Sequence, residues 1–365
     1  MANLTFNAVD LGQTFTQKLD TKVVASGAAP PTTSAPKPYA SPKGFSQDIT
    51  DWLSASNSSQ ASISKTKMFA NINVKDAAPG TVIAAQSYSE PDYAYDWVRD
   101  SSLTMEVVNA FYNATSTKSS VRADYEKMLF QYAAARAAEQ TDPNLQTGLG
   151  EPKFFLNNSV FTGPWGRPQN DGPATAAITL MEFATAYMTG GGSIDTVKQK
   201  IYDSTAHPDA APVQKDLLFV ASNWTSSSYD LWEEEEGDHF YTRMVQRRAL
   251  IMGSKFATSM GDTATASTLD TAAKAITADL PNFWDSQRNL ILYEYGPVLF
   301  GKWTYKDIAV VLGVLHGYAG DGVFSYTNDQ VLASAYQIAT SFLPIYGVAN
   351  TTKDSQGQVL GIPIG

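Results

Sequence analysis

The run Ser228–Gly237, SYDLWEEEEG, places an aspartate, a tryptophan and four consecutive glutamates side by side. Read as a helix, it puts Asp230, Glu233 and Glu234 on one side, at i, i+3 and i+4. Carboxyls crowded beside a tryptophan are the groups from which a general acid is drawn, because mutual repulsion and partial desolvation favour the protonated form. A solvated charge run is the plainer alternative. A calcium loop would need oxygen ligands at alternating positions and a glycine within the loop, and this run lacks that pattern.

Two further loops carry residues of matching chemistry. Asp92–Asp100, DYAYDWVRD, interleaves Tyr93, Tyr95 and Trp97 with Asp96, Arg99 and Asp100. An arginine and an aspartate that reach one cavity can donate to and accept from vicinal hydroxyls, while ring faces stack on a pyranose. The same residues also suit a helix cap at Asp100 beside a buried aromatic cluster. In Thr147–Pro173, glycines and prolines enforce turns, so Trp165 and Arg167 are displayed on a structured loop. A tryptophan there serves equally as a sugar platform or as the seal at a barrel end.

The segments between the loops are helical in pattern. Helices are expected at about 45–75 (possibly broken), 100–117, 120–140, 172–189, 211–222, 239–261, 263–280, 304–316 and 328–347. In Val121–Gln140, Tyr125, Met128, Leu129, Tyr132 and Ala135 recur at three- and four-residue spacings. His239–Gly261 repeats the pattern, and Gly261 is the expected stop. Leu290–Tyr295 is the main candidate strand. Helices without intervening strands imply a bundle, a solenoid or an α-barrel. No repeat of fixed period appears, which disfavours a solenoid.

Composition narrows the function classes. Of 365 residues, 43% are hydrophobic and 12% aromatic, which excludes a disordered chain. A net charge of −10 argues against nucleic acid as a partner. The absence of cysteine excludes disulfides and thiol catalysis, and His207, His239 and His316 have no ligand spacing, so neither a metal nor another cofactor is expected. No run reaches the length of a membrane helix. Residues 1–44, with a Pro/Ala/Ser/Thr-rich stretch at 25–43, read as a flexible segment, and 45–365 as the folded domain. The N-terminus has no signal-peptide pattern. Asn-x-Ser/Thr sequons nevertheless begin at Asn3, Asn57, Asn113, Asn157, Asn223 and Asn350. They arose by chance or mark a secreted glycoprotein, and the low charge favours secretion.

Together the three loops resemble the fungal glucoamylases of glycoside hydrolase family 15. The strings are PGTVIAAQSYSEPDYAYDWVRDSSLT (79–104), GLGEPKFFLNNSVFTGPWGRPQNDGPA (148–174) and YDLWEEEEGDHFYTRMVQRRAL (229–250), in family order. The resemblance covers about 45–365. It implies an all-α fold, the (α/α)6 barrel, with about nine of its twelve helices present. It further implies release of β-D-glucose from non-reducing ends of starch-like α-1,4-glucans and maltooligosaccharides by inversion, in a secreted monomer with no cofactor. By the same resemblance Glu233 is the general acid and Asp230 a tuning or orienting carboxylate. Glu234 binds sugar on the leaving-group side, and Arg99 and Asp100 grip the terminal glucose. Tyr93, Trp97, Trp165 and Trp232 then supply stacking or hydrogen-bonding surface. The family pattern continues past Gly365 into a Gly-Arg-Tyr-Pro-Glu-Asp string and then the catalytic base, so a truncated, poorly active chain is expected. Ala176 departs from the family, which commonly has an arginine there. A non-catalytic α-glucan-binding protein and a plain helical scaffold are the competing functions.

Overall fold

The computed structural model describes residues 59–295 and 304–342, with Ile345, Thr351, Lys353 and Gly357. The expected flexible segment 1–44 and the first part of the expected helix 45–75 lie outside the described residues. The described chain divides into two compact units, one built from 64–236 and 245–278, the other containing 237–244 and 279–365.

The first unit holds α1 (Gln60–Phe69, which begins just before it), α2 (Val98–Ala114), α3 (Ser120–Gln140), α4 (Gly172–Thr189), α6 (Val213–Asn223), most of α7 (Phe240–Ser259) and α8 (Thr263–Asp279). These bounds fall within a few residues of those expected, apart from the longer first segment. A short helical turn, α5 (Ile194–Val197), continues as a π-turn over Lys198–Tyr202. It escaped the pattern analysis because a few residues cannot establish a period. Helix α4 is apolar nearly all round and buried from Gly172 to Met181, as a central helix must be. It packs on α2 and α6. Small hydroxyls bind it to α2: Ser102 meets Thr175 at 2.8 Å, and Thr179 donates to the Ser102 carbonyl at 3.0 Å. Ala176 is fully buried with Val98, Phe154 and Val160, a site that suits a small apolar side chain.

The expected face of α3 is the buried one, with Tyr125, Leu129, Tyr132 and Ala135 inside. The helix also buries charge that periodicity gave no reason to expect. Arg136 donates to Asp216 of α6 through Nη2 at 2.7 Å and Nε at 3.2 Å, and to Glu139 at 3.3 Å. The guanidinium thus serves two buried carboxyls, and a third buried carboxyl, Asp96, lies close enough to Glu139 to repel it. Burial, then the charge of Glu139, pushes Asp96 well above the usual carboxylate range. Burial pushes Glu139 up to about 7 against the opposing pull of Arg136.

In the second unit the expected strand Leu290–Tyr295 is divided between two sheets. Strand β5 (Trp284–Asp285) pairs with β6 (Leu290–Ile291), and β4 (Glu236–His239) with β7 (Glu294–Tyr295), both antiparallel. Helices α9 (Ala309–Gly317) and α10 (Asp329–Phe342) follow. Phe240 packs edge-on against Phe283 and Phe324. Gly317 lies so close to Met244 that a Cβ would fall 2.5 Å from its carbonyl carbon. Leu315 on α9 and Leu332 and Tyr336 on α10 are exposed.

Candidate active site

All the expected site residues fall in the first unit, on four short segments. Strand β1 (Asp96–Trp97) runs directly into α2, which carries Arg99 and Asp100 in its first turn. Strand β2 (Lys153–Phe154) pairs antiparallel with β1, with Trp97 opposite Lys153. The loop after β2 presents Trp165, and the segment after β3 (Ser228–Tyr229) presents Glu233.

That last segment is not helical, so the expected i, i+3, i+4 face does not exist. Asp230 instead organises a tight turn. Its carbonyl accepts from Glu233 N at 3.0 Å, and its Oδ1 accepts from Glu234 N at 2.7 Å and Glu235 N at 3.0 Å. The helical alternative loses because an aspartate before several free amides satisfies them through its side chain. The turn forces Glu233 to a φ of 65°, a left-handed conformation that costs a non-glycine residue about 1 kcal/mol or more. Glu233 is thereby turned away from its exposed neighbours Trp232 and Glu234.

Three N–H donors converge on Glu233 Oε1: Trp97 Nε1 at 2.7 Å, Trp165 Nε1 at 2.9 Å and Gln169 Nε2 at 2.8 Å. Oε2 receives no hydrogen bond from the described residues. An indole can only donate, so Oε1 is held as an acceptor and any proton must ride on Oε2. The carboxyl is thus oriented, with one oxygen saturated and the other free of hydrogen bonds among the described residues.

The donors are themselves fixed. Gln169 accepts from Arg99 Nη1 at 3.0 Å, and Arg99 also donates to the buried Asp171 at 2.9 Å. Arg167 does not reach outward. It donates to Glu151 at 2.9 Å and to the carbonyls of Phe161 and Gly163, stapling the loop that carries Trp165. Gly166 passes so close to Tyr229 that a Cβ would fall 2.9 Å from the ring. Asp100 stays partly exposed beside this network, 4.0 Å from Arg99. Burial raises its pKa, Arg99 opposes this, and Glu233 and Asp171 add to it. Tyr93 is half-open to solvent and meets Trp97 edge-on at 6.1 Å.

The structure therefore brings Trp97, Arg99, Asp100, Trp165, Asp230 and Glu233 into one network with Tyr93 at its rim. Glu234 and Trp232 stand at the surface on the far side of the turn. Gln169, Asp171, Glu151 and Lys153 were not singled out from the sequence, although all lie inside the second resemblance string. No spacing rule distinguishes them, since each acts on a partner remote in sequence. Among the described residues no group of three or more metal-ligating side chains is arranged to hold an ion.

Residues 60–362 match the family model of glycosyl hydrolases family 15. The chain belongs to glycosyl hydrolase family 15. It is 61% identical to a glucoamylase of Blastobotrys adeninivorans over 368 residues, covering 100% of this chain and 59% of that protein. It is 34% identical to glucoamylase 1 of Rhizopus oryzae, covering 91% of this chain and 52% of that one. The family 15 chain thus spans between half and two thirds of the length of these relatives. Among solved structures, the glucoamylase of Hormoconis resinae superposes with a TM-score of 0.69 at 30% identity, over 82% of this chain and 50% of the other. That of Saccharomycopsis fibuligera gives 0.67 at 26% identity, over 80% and 65%. The all-α fold class is that of these (α/α)6 glucoamylases.

The Asp230 turn yields a direct prediction. Asp230→Ala removes the acceptor of two amides and should destabilise the unit by about 1–3 kcal/mol. Asp230→Asn retains a carbonyl acceptor and should restore most of the loss. Urea unfolding of both variants measures this, and equal loss in the two would contradict the assigned role.

Proposed function

We propose that this chain carries the acid side of an exo-acting, inverting glucan hydrolase site that releases β-D-glucose from the non-reducing ends of starch-like α-1,4-glucans. The observation that carries the reading is the convergence of three N–H donors on one oxygen of Glu233, with no described residue bonding the other. Glu233 Oε2 delivers its proton to the glycosidic oxygen as the bond to C1 breaks. The same three donors stabilise the carboxylate that remains. Asp230 holds the turn and does not itself react. Arg99 and Asp100 grip the terminal glucose, the rings of Tyr93, Trp97, Trp165 and Trp232 supply stacking or hydrogen-bonding surface, and Glu234 binds sugar on the leaving-group side.

Inversion requires a second carboxylate about 6.5–9.5 Å from the acid, across the sugar, to activate water. In this reading that base lies outside the 365 residues. The chain alone should then hydrolyse maltose about 10²–10⁴-fold more slowly than a form extended to the length of its relatives. Proton NMR of the extended form should show β-glucose as the first product. α-Glucose as the first product, or equal rates in the two forms, would refute the corresponding part of the proposal.

Secretion through a glycosylating compartment accompanies this reading. The described sequons differ in fitness for a glycan. Asn113 and Asn157 are exposed, whereas Asn223 is half-buried and its Nδ2 donates to the Phe219 carbonyl at 2.9 Å. Glycopeptide mapping of the protein secreted from yeast should find Asn113 and Asn157 modified and Asn223 bare.

A further inference from the structure

Lys153 has no part in the mechanism so far, yet it lies directly behind the groups that hold Glu233. Its side chain is buried, 3% exposed, with Nζ 3.6 Å from the ring centre of Trp165, 4.0 Å from Tyr95, 4.3 Å from Phe161 and 4.6 Å from Trp97. The four rings close on one another around it: Tyr95 to Trp97 at 6.1 Å, Trp97 to Trp165 at 5.7 Å, Trp165 to Phe161 at 6.0 Å and Phe161 to Tyr95 at 5.4 Å. No hydrogen bond to a described residue engages Nζ. An ammonium among π-faces is attracted by their quadrupoles.

We propose that Lys153 is the positioning residue of Glu233: its ammonium gathers the cage from which Trp97 and Trp165 aim their indole N–H groups at one carboxyl oxygen, and its charge favours the carboxylate left when the proton departs. The inference rests on the reading of Glu233 as the acid. Electrostatics agree in direction. Burial lowers the Lys153 pKa, while Glu233 first and Asp92 second hold it up, against Arg167. Among the described residues Asp100 also feels Glu233, with Arg99 and Asp171 beside it. Among the described residues only Lys153 is shown with its positive charge over both indoles that grip Glu233.

The test needs no turnover, so its failure is distinct from failure of the proposed hydrolysis. The chain is labelled with 13C at the glutamate δ-carbons and 15N at the indoles, and Glu233 is identified as the resonance lost in Glu233→Gln. Lys153→Met keeps the stem and removes the charge. It should displace the Glu233 δ-carbon resonance from its wild-type position and move the Trp97 and Trp165 indole proton shifts upfield. Lys153→Arg should return both towards wild type. An undisplaced Glu233 resonance and unchanged indole resonances in Lys153→Met would overturn the inference. Should that variant unfold by near-ultraviolet circular dichroism, Lys153→Gln takes its place. Loss of folding in both neutral variants would overturn it too, in favour of a purely structural lysine.

Discussion

Glu233→Gln should abolish maltose hydrolysis by the extended form, with a fall in kcat of about 10²–10⁴-fold from the loss of acid catalysis, and leave maltooligosaccharide affinity within a small factor. The separation follows from how the carboxyl is held. Glutamine offers one carbonyl oxygen, and that oxygen can accept the same N–H groups of Trp97, Trp165 and Gln169 that converge on Oε1. The turn set by Asp230, the edge-on Trp97–Trp165 pair and the Arg99–Gln169–Asp171 chain should therefore stay in place. What disappears is the proton on the other atom, replaced by an amide that cannot transfer one. Steady-state kinetics give kcat, and the tryptophan fluorescence change on adding maltotriose gives affinity, since both indoles face the site. Retained turnover would refute the acid assignment. Loss of affinity together with turnover would show that Glu233 chiefly builds the pocket. Persistent binding without turnover in the wild-type extended form would instead favour a glucan-binding protein.

Arg136→Met should be the most destabilising single substitution in the first unit. Arg136 is almost completely buried and bonds Asp216 and Glu139. Removing one partner of a buried ion pair costs about 3–5 kcal/mol, because the other charge is left without compensation. The loss should depend on pH with a definite sign. Burial already holds Asp216 and Glu139 above their ordinary values despite Arg136. Without the guanidinium both carboxyls must take up protons to remain buried, so the variant should recover part of its stability on acidification. The wild-type protein should show a weaker trend of the same direction. The carboxyl of Glu139 titrates near 7 when folded and near 4.5 when unfolded. The folded state therefore binds more protons between those values, and stability falls as pH rises through that window. Below about 4.5 and above about 7 this group contributes no slope. Glu139→Gln should flatten the window. Urea midpoints at pH 5 and pH 7.5 for the three proteins test both statements. A wild-type midpoint that rises across the interval and is untouched by Glu139→Gln would reverse the assignment.

Periodicity in the sequence located α2, α3, α4, α6, α7 and α8 to within a few residues, because an amphipathic or wholly apolar helix writes its own packing into its spacing. The loop strings named several residues that the fold gathers around Glu233, among them Trp97, Arg99 and Trp165. Tertiary structure decided what those residues do to one another. Whether Ser228–Gly237 became a helix or a turn depended on Asp230 capturing two amides. The choice of Glu233 among four glutamates depended on donors 136, 68 and 64 residues away along the chain. The inward turn of Arg167 and the cage around Lys153 likewise come from partners with no sequence spacing in common. A helix is a local bargain between neighbours, whereas a held carboxyl is satisfied by whichever donors the fold delivers. The kind of protein was therefore legible in one dimension, and the orientation of the Glu233 carboxyl only in three.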